Sequence, residues 1–202
     1  YSPVSGDLDG DGDMDFITGG RTGQLFYYEN IGTPSSPGWV KTPHPNLDTL
    51  QVQPNGTINE IRPQLEDIDN DGDLDLFVGI RYNWAGGWGP STGTSTQFRD
   101  IMYFENIGSA SNSVFVRAYI PGVDHPTDFN QWQNTGTFTN LGFVDIDNDG
   151  DRDFFTIGSD SVSYFQNIGT PSNPSFQRYY RNDPANPLGA LSSPNYTSML
   201  IS

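Results

Sequence analysis

Asp7-Leu8-Asp9-Gly10-Asp11-Gly12-Asp13-Met14-Asp15 places five aspartates on alternate positions of nine residues. The pattern returns as Asp67-Ile68-Asp69-Asn70-Asp71-Gly72-Asp73-Leu74-Asp75 and as Asp145-Ile146-Asp147-Asn148-Asp149-Gly150-Asp151-Arg152-Asp153. The three starts lie 60 and 78 residues apart. Each run feeds a short apolar segment that ends in glycine: Phe16–Gly19, Leu76–Gly79 and Phe154–Gly158. An aromatic segment follows and stops at a shared Asn-Ile-Gly: Leu25–Gly32, Met102–Gly108 and Ser163–Gly169. Self-similarity at such a spacing marks a repeat architecture.

Outward from these motifs, each repeat reads as four short strands. One precedes the acidic loop, clearest at Leu141–Val144. Two follow it, and an edge-like strand closes the unit near Trp39-Val40, Val114–Val116 and Phe176–Tyr179. Alternating β-branched and aromatic residues bounded by Gly, Pro and Asn favour strands over helices. The 23 Gly and 15 Pro among 202 residues agree with a turn-rich, all-β chain. Four antiparallel strands repeated three times predict β-propeller-type blades, each with one DxDxDGDxD loop. The expected boundaries are 1–60, 61–138 and 139–202. The second repeat carries a Gly- and Trp-rich insertion over 83–96, and the third a C-terminal strand. Thr42 to Glu60 and Pro121 to Thr139 read as connections.

Charge narrows the function classes. The chain has 25 acidic and 9 basic residues, a net −16, and 15 of the acids are the loop aspartates. Outside the loops, ten acids face nine bases, so the acidity is focal. Phosphate backbones are repelled, which argues against nucleic acid. No apolar run is long enough for a membrane-spanning helix. Cys is absent, so disulfides and thiolate chemistry are excluded.

Five carboxylates in nine residues repel one another unless a cation neutralises them. Calcium accepts about six to eight oxygens from a flexible loop, whereas Mg²⁺ demands strict octahedral geometry and keeps its waters. Side chains at positions 1, 3 and 5 of the loop can converge, and glycine at position 6 allows the sharp turn. This resembles the first half of an EF-hand loop. The Glu expected at position 12 is missing, since Thr18, Val78 and Thr156 stand there.

The nonapeptide, the strand after it and the Tyr-Phe-Glu-Asn-Ile-Gly strand end together resemble the FG-GAP/VCBS repeat. That family builds propeller blades in integrin α-subunit heads, fungal lectins and secreted bacterial proteins. The resemblance covers nearly the whole chain in three copies. It implies that the aspartate at position 9 closes the metal shell and that position 7 gives its backbone carbonyl. The implied calcium ligands are Asp7, Asp9, Asp11 and Asp15 with the carbonyl of Asp13. The second set is Asp67, Asp69, Asp71 and Asp75 with the carbonyl of Asp73. The third is Asp145, Asp147, Asp149 and Asp153 with the carbonyl of Asp151. A closed shell drawn from one loop leaves no place for an activated water, so the sites read as structural.

No nucleophile–base pair, phosphate loop or dinucleotide fingerprint is present, and the chain reads as a non-enzyme. His44 and His125 each precede Pro and read as surface-loop residues. Trp84 and Trp88 in the insertion are candidate ligand-binding indoles for a sugar ring or a partner, or else sheet-packing residues. Asn55-Gly-Thr57 and Asn195-Tyr-Thr197 are glycosylation sequons. Family propellers close with about seven blades, and three are present here. Placed head to tail, Asp145 and the Asp7 of a second copy would be 64 residues apart, within the observed range. The expectation is an extracellular, calcium-binding structural or adhesion module that assembles with copies of itself or binds a glycan or cell-surface protein. A lectin, or a non-catalytic part of a larger secreted enzyme, is the alternative.

Overall fold

The computed structural model describes residues 3–20, 23–44, 47, 57–83, 97–118, 140–157, 162–180 and 182–189. Trp84, Trp88, His125, both sequon asparagines and the C-terminal run all lie outside the described residues.

Twelve strands are described. They are β1 (Pro3–Gly6), β2 (Asp15–Gly19), β3 (Leu25–Asn30), β4 (Trp39–Lys41), β5 (Thr57–Glu66), β6 (Asp75–Asn83), β7 (Gln97–Asn106), β8 (Phe115–Ala118), β9 (Asn140–Val144), β10 (Asp153–Ile157), β11 (Val162–Asn167) and β12 (Phe176–Tyr179). They form three four-stranded antiparallel meanders, β1–β4, β5–β8 and β9–β12, each strand bonded to its sequence neighbour. The acidic loop joins the first two strands of every sheet, so the blade-like repeat of the sequence is the repeat of the structure.

Registers repeat as well. Gly6 pairs with Asp15, Glu66 with Asp75 and Val144 with Asp153, which places the last loop aspartate at the foot of the second strand each time. Pro3 and Pro63 sit in β1 and β5, edge strands of their sheets, the position in a sheet that tolerates proline. Across the third and fourth strands, Tyr28 faces Lys41, Phe104 faces Arg117 and Phe165 faces Arg178. The cations of these fourth strands lie over aromatic rings: Lys41 over Phe26 at 4.1 Å, Arg117 over Phe104 at 5.6 Å and Arg178 over Phe165 at 5.5 Å. Such contacts each contribute roughly 0.5–1 kcal/mol at exposed sites.

Two differences from the sequence reading concern strand limits. Residues 57–60, read as connection, begin β5. β6 continues through Gly79 to Asn83 because its extension pairs with Gln97–Ile101 of β7.

The chain divides into two compact units, Tyr1–Asp67 with Gly72–Ala118, and Ile68–Asp71 with Tyr119–Ser202. In the first unit, residues from two sheets fill one core: Ile17, Leu25 and Tyr27 with Ile61, Leu76, Val78, Met102 and Phe104. In the second, Phe154 stacks on Phe165 at 4.2 Å and meets Phe176 edge-on at 5.0 Å. Phe155 and Val162 gather Val144, Ile146 and Leu188. Fully burying one such side chain stabilises by roughly 1.5–3 kcal/mol.

Candidate metal centres

Position 2 of each acidic loop is an apolar anchor. Leu8 and Ile68 are buried, and Ile146 packs on the core of its unit. With that side chain inward, the aspartates on either side are held near the surface.

The loop backbone is organised by its own carboxylates. Asp7 accepts hydrogen bonds from Gly10 N at 2.7 Å and Gly12 N at 3.0 Å. Asp67 accepts from Gly72 N at 3.1 Å, and Asp145 from Asp149 N at 3.2 Å and Gly150 N at 3.1 Å. Position 6 has φ of +91°, +96° and +97° at Gly12, Gly72 and Gly150. An added Cβ there would meet nothing within 4 Å. The conformation, and not the space, therefore requires glycine. Position 4 is left-handed too, at Gly10, Asn70 and Asn148. Asn tolerates that region. Gly10 has a further reason, because its Cβ would stand 2.5 Å from Ser111 Cβ and 2.8 Å from Ser111 Cα.

Three groups of carboxylates offer ligand atoms within 4.8 Å of one another: Asp7, Asp9 and Asp15; Asp67, Asp69 and Asp71; Asp145, Asp147 and Asp153. Nine of the fifteen aspartates singled out in the sequence are thus brought together. Asp11, Asp73, Asp75, Asp149, Asp13 and Asp151 fall outside these groups. Asp13 is only 3% exposed and Asp151 is likewise buried, although the sequence reading used position 7 for its carbonyl alone. The Oδ1 atoms of both are buried without a hydrogen-bond partner. Burial raises the Asp13 carboxyl, helped by Asp11 and Asp15, against a hydrogen bond from the Asn30 side chain. Burial, then Asp149 and Asp153, pushes Asp151 up to about 6. Burial also raises Asp9. Crowded, partly dehydrated carboxylates with uncommitted oxygens are a donor set that fits a hard cation.

Position 9 does more than the sequence reading assigned to it. Asp15 accepts from Leu8 N at 3.2 Å, the Tyr27 hydroxyl at 2.9 Å and Asn30 N at 2.8 Å. Asp153 repeats the arrangement with Ile146 N at 3.0 Å, Tyr164 at 2.7 Å and Asn167 N at 2.8 Å. Asp75 accepts from Asn106 N at 2.8 Å. This carboxylate ties the loop entrance to the end of the third strand. Burial and the bond to the carboxylate raise Tyr27 and Tyr164, so both phenols remain donors.

The shared asparagine continues the chain of bonds. Asn30 Oδ1 accepts from Gly32 N and Gly38 N, Asn106 from Gly108 N and Val114 N, and Asn167 from Gly169 N and Ser175 N. It thereby pins the hairpin into the fourth strand. Sequence reasoning recorded Asn-Ile-Gly as a common turn and missed this role. Its recurrence in all three repeats was the available signal.

His44 corrects another expectation. It is 6% exposed, not a surface residue. Its ring meets Tyr27 edge-on at 5.2 Å and Phe115 at 5.7 Å. Nε2 lies 2.9 Å from Ser113 Oγ, whose hydroxyl donates to the Leu8 carbonyl at 3.2 Å. That serine has one proton, so His44 donates through Nε2–H.

Among the described residues, no helix is long and apolar enough to cross a membrane. No curated protein and no solved structure gives a significant match to the chain. The family model for the FG-GAP-like repeat matches residues 7–78, from the first residue of the first acidic loop, through the second loop, into β6. Over those residues the chain is similar to the FG-GAP-like repeat.

Proposed function

We propose that the three acidic loops bind calcium and that the chain is an extracellular structural or adhesion module whose blades depend on it. The observation that carries this reading is the recurrence, at the same place in three sheets, of carboxylate oxygens within 4.8 Å of one another. The buried, unpartnered oxygens of Asp13 and Asp151 support it. Calcium bound with the weak affinity of extracellular modules, about 10⁻⁴–10⁻³ M, stays on outside the cell and comes off in the cytosol. The ligands are the aspartates of the three loops, with position 9 shared between the ion and the strand end.

Calorimetric titration of metal-stripped protein tests the proposal, with melting in EGTA against millimolar calcium beside it. Three ions per chain and a large rise in melting temperature are expected. With millimolar calcium at about ten times the dissociation constant, each site adds roughly 1.4 kcal/mol. An unchanged melting temperature sinks the reading. The same reading makes the module non-catalytic; turnover of a polysaccharide or ester, lost on a point mutation, would overturn that part. Its partners are a second copy of the chain, or a glycan or protein at a cell surface. Light scattering in calcium checks the first: a monodisperse 22.3 kDa monomer removes self-assembly.

A further inference from the structure

Within the first unit a cleft of about 180 Å³ lies beside the first acidic loop. Its walls come from that loop, from β3, from the segment after β4 and from the turn between β7 and β8. It far exceeds the roughly 10–15 Å³ that admits one water and falls below the ~300 Å³ of drug-sized pockets. One small ring fits. The bonded series His44–Ser113–Leu8 holds the wall in place.

The third repeat shows what this space looks like when filled. There Gln166 Nε2 donates to Asp147, the position-3 aspartate, and Gln166 Oε1 accepts from the Tyr179 hydroxyl at 3.1 Å. The Tyr179 ring stacks on Tyr164 at 5.8 Å. The matching residues of the first repeat are Asp9, Glu29, Thr42 and Tyr27, since Thr42 N bonds Tyr27 O where Tyr179 pairs with Tyr164. Glutamate replaces the donor amide, and threonine replaces the covering ring. Asp9, Glu29 and Thr42 all line the cleft, with Ser111 and Asn112 opposite. Among the described residues no hydrogen bond engages the Glu29 carboxylate or the Asn112 side chain.

We infer that this cleft binds a neutral polyol, one sugar ring in size, whose hydroxyls donate to Glu29 and Asp9 in place of the Gln166 amide. A second cation is disfavoured, because calcium in the adjacent loop would repel it at short range. A polyol also suits a lining that mixes carboxylates with hydroxyl and amide groups and leaves Pro43 to meet ring C–H groups. The calcium dependence of the site rests on the function proposed above; the cleft itself does not.

The test titrates glucose, galactose, N-acetylglucosamine and, as an acyclic control, glycerol into the full chain, with calcium and with EGTA. Calcium stoichiometry is measured on the same samples. Glu29→Gln and Thr42→Tyr rebuild the third repeat's arrangement in the first. Millimolar binding of at least one pyranose is expected, weakened about tenfold or more by either variant, with calcium stoichiometry unchanged. Trp84→Ala and Trp88→Ala should leave it intact. Glu29→Gln is isosteric and keeps the test valid if Thr42→Tyr fails to fold. Pyranose binding that survives both variants, that disappears with Trp84→Ala, or that is absent in calcium-loaded protein overturns the inference. Binding of glycerol alone overturns the assignment to a ring. Variant-sensitive binding indifferent to EGTA upholds the cleft and removes calcium from it.

Discussion

The first and third acidic loops share a nine-residue pattern and differ in what surrounds it. Both anchor an apolar residue at position 2, both bend through a left-handed glycine at position 6, and both present the last aspartate to a tyrosine hydroxyl and an asparagine N–H. The third is closed by its own blade, with Gln166 bonded to Asp147 and Tyr179 bonded to Gln166. The first has Gly10 pressed against Ser111 of the second sheet and an open cleft at Asp9. The parts common to both loops gather carboxylates and brace a strand end. The parts that differ decide whether the neighbouring surface is self-satisfied or left as an open cleft.

The largest effect should fall on a shared feature, and equally in both repeats. Asp15→Ala strips the acceptor from Leu8 N, Asn30 N and the Tyr27 hydroxyl; Asp153→Ala does the same to Ile146 N, Asn167 N and Tyr164. Each buried donor left without a partner costs about 1–3 kcal/mol. A loss of about 4 kcal/mol is expected for either variant by denaturant unfolding in EGTA. Running it without calcium separates the bracing role from the ligand role. A loss confined to calcium-loaded protein would show that position 9 acts only through the ion.

A smaller effect should split the two loops. Gly10→Asn gives the first loop the residue that the others carry, yet its Cβ meets Ser111 backbone and side chain below 3 Å. Overpacking of this kind costs about 1–3 kcal/mol. Asn148→Gly, the reverse change, keeps the left-handed backbone, and a few tenths of a kcal/mol is expected. Paired melting curves check the contrast, and equal losses would break the claim that Gly10 is set by its neighbour.

That contrast also marks what a sequence can disclose. Strand periodicity, the repeat spacing and the glycine at position 6 follow from local stereochemistry, so the three meanders and their loops were legible. The burial of His44 was not. It depends on Ser113, 69 residues away, and on Phe115, neither of which any local pattern links to a His-Pro dipeptide. The bracing role of position 9 was hidden because a run of aspartates reads as a cation site and does not reveal which backbone N–H groups its last carboxylate accepts from. The side-chain burial at position 7 was hidden by the expectation that only its carbonyl matters. The early start of β5 was missed because Pro63 and the polar residues around it weaken the strand pattern, and pairing with β6 overrides that.

The finest comparison turns the third loop into the first. Gln166→Glu places a carboxylate against Asp147 where an amide donated, and it leaves the Tyr179 hydroxyl its acceptor. Asp147 is exposed, so solvent screens much of the repulsion, and the lost bond adds little more. A cost of about 0.5–1 kcal/mol is expected in EGTA. Calcium in the loop should offset most of this, because the ion supplies the positive charge that the amide dipole provided. The melting temperatures of wild type and variant should therefore differ in EGTA and approach each other in calcium. Sodium chloride at high concentration should narrow the EGTA difference as well, by screening, without calcium's stoichiometric endpoint. A difference that persists unchanged in calcium would mean that Gln166 holds the loop by shape and not by charge. Tyr179 still covers the surface in this variant, so it should gain no polyol site. The missing ring, and not the acid alone, then separates the open loop from the closed one.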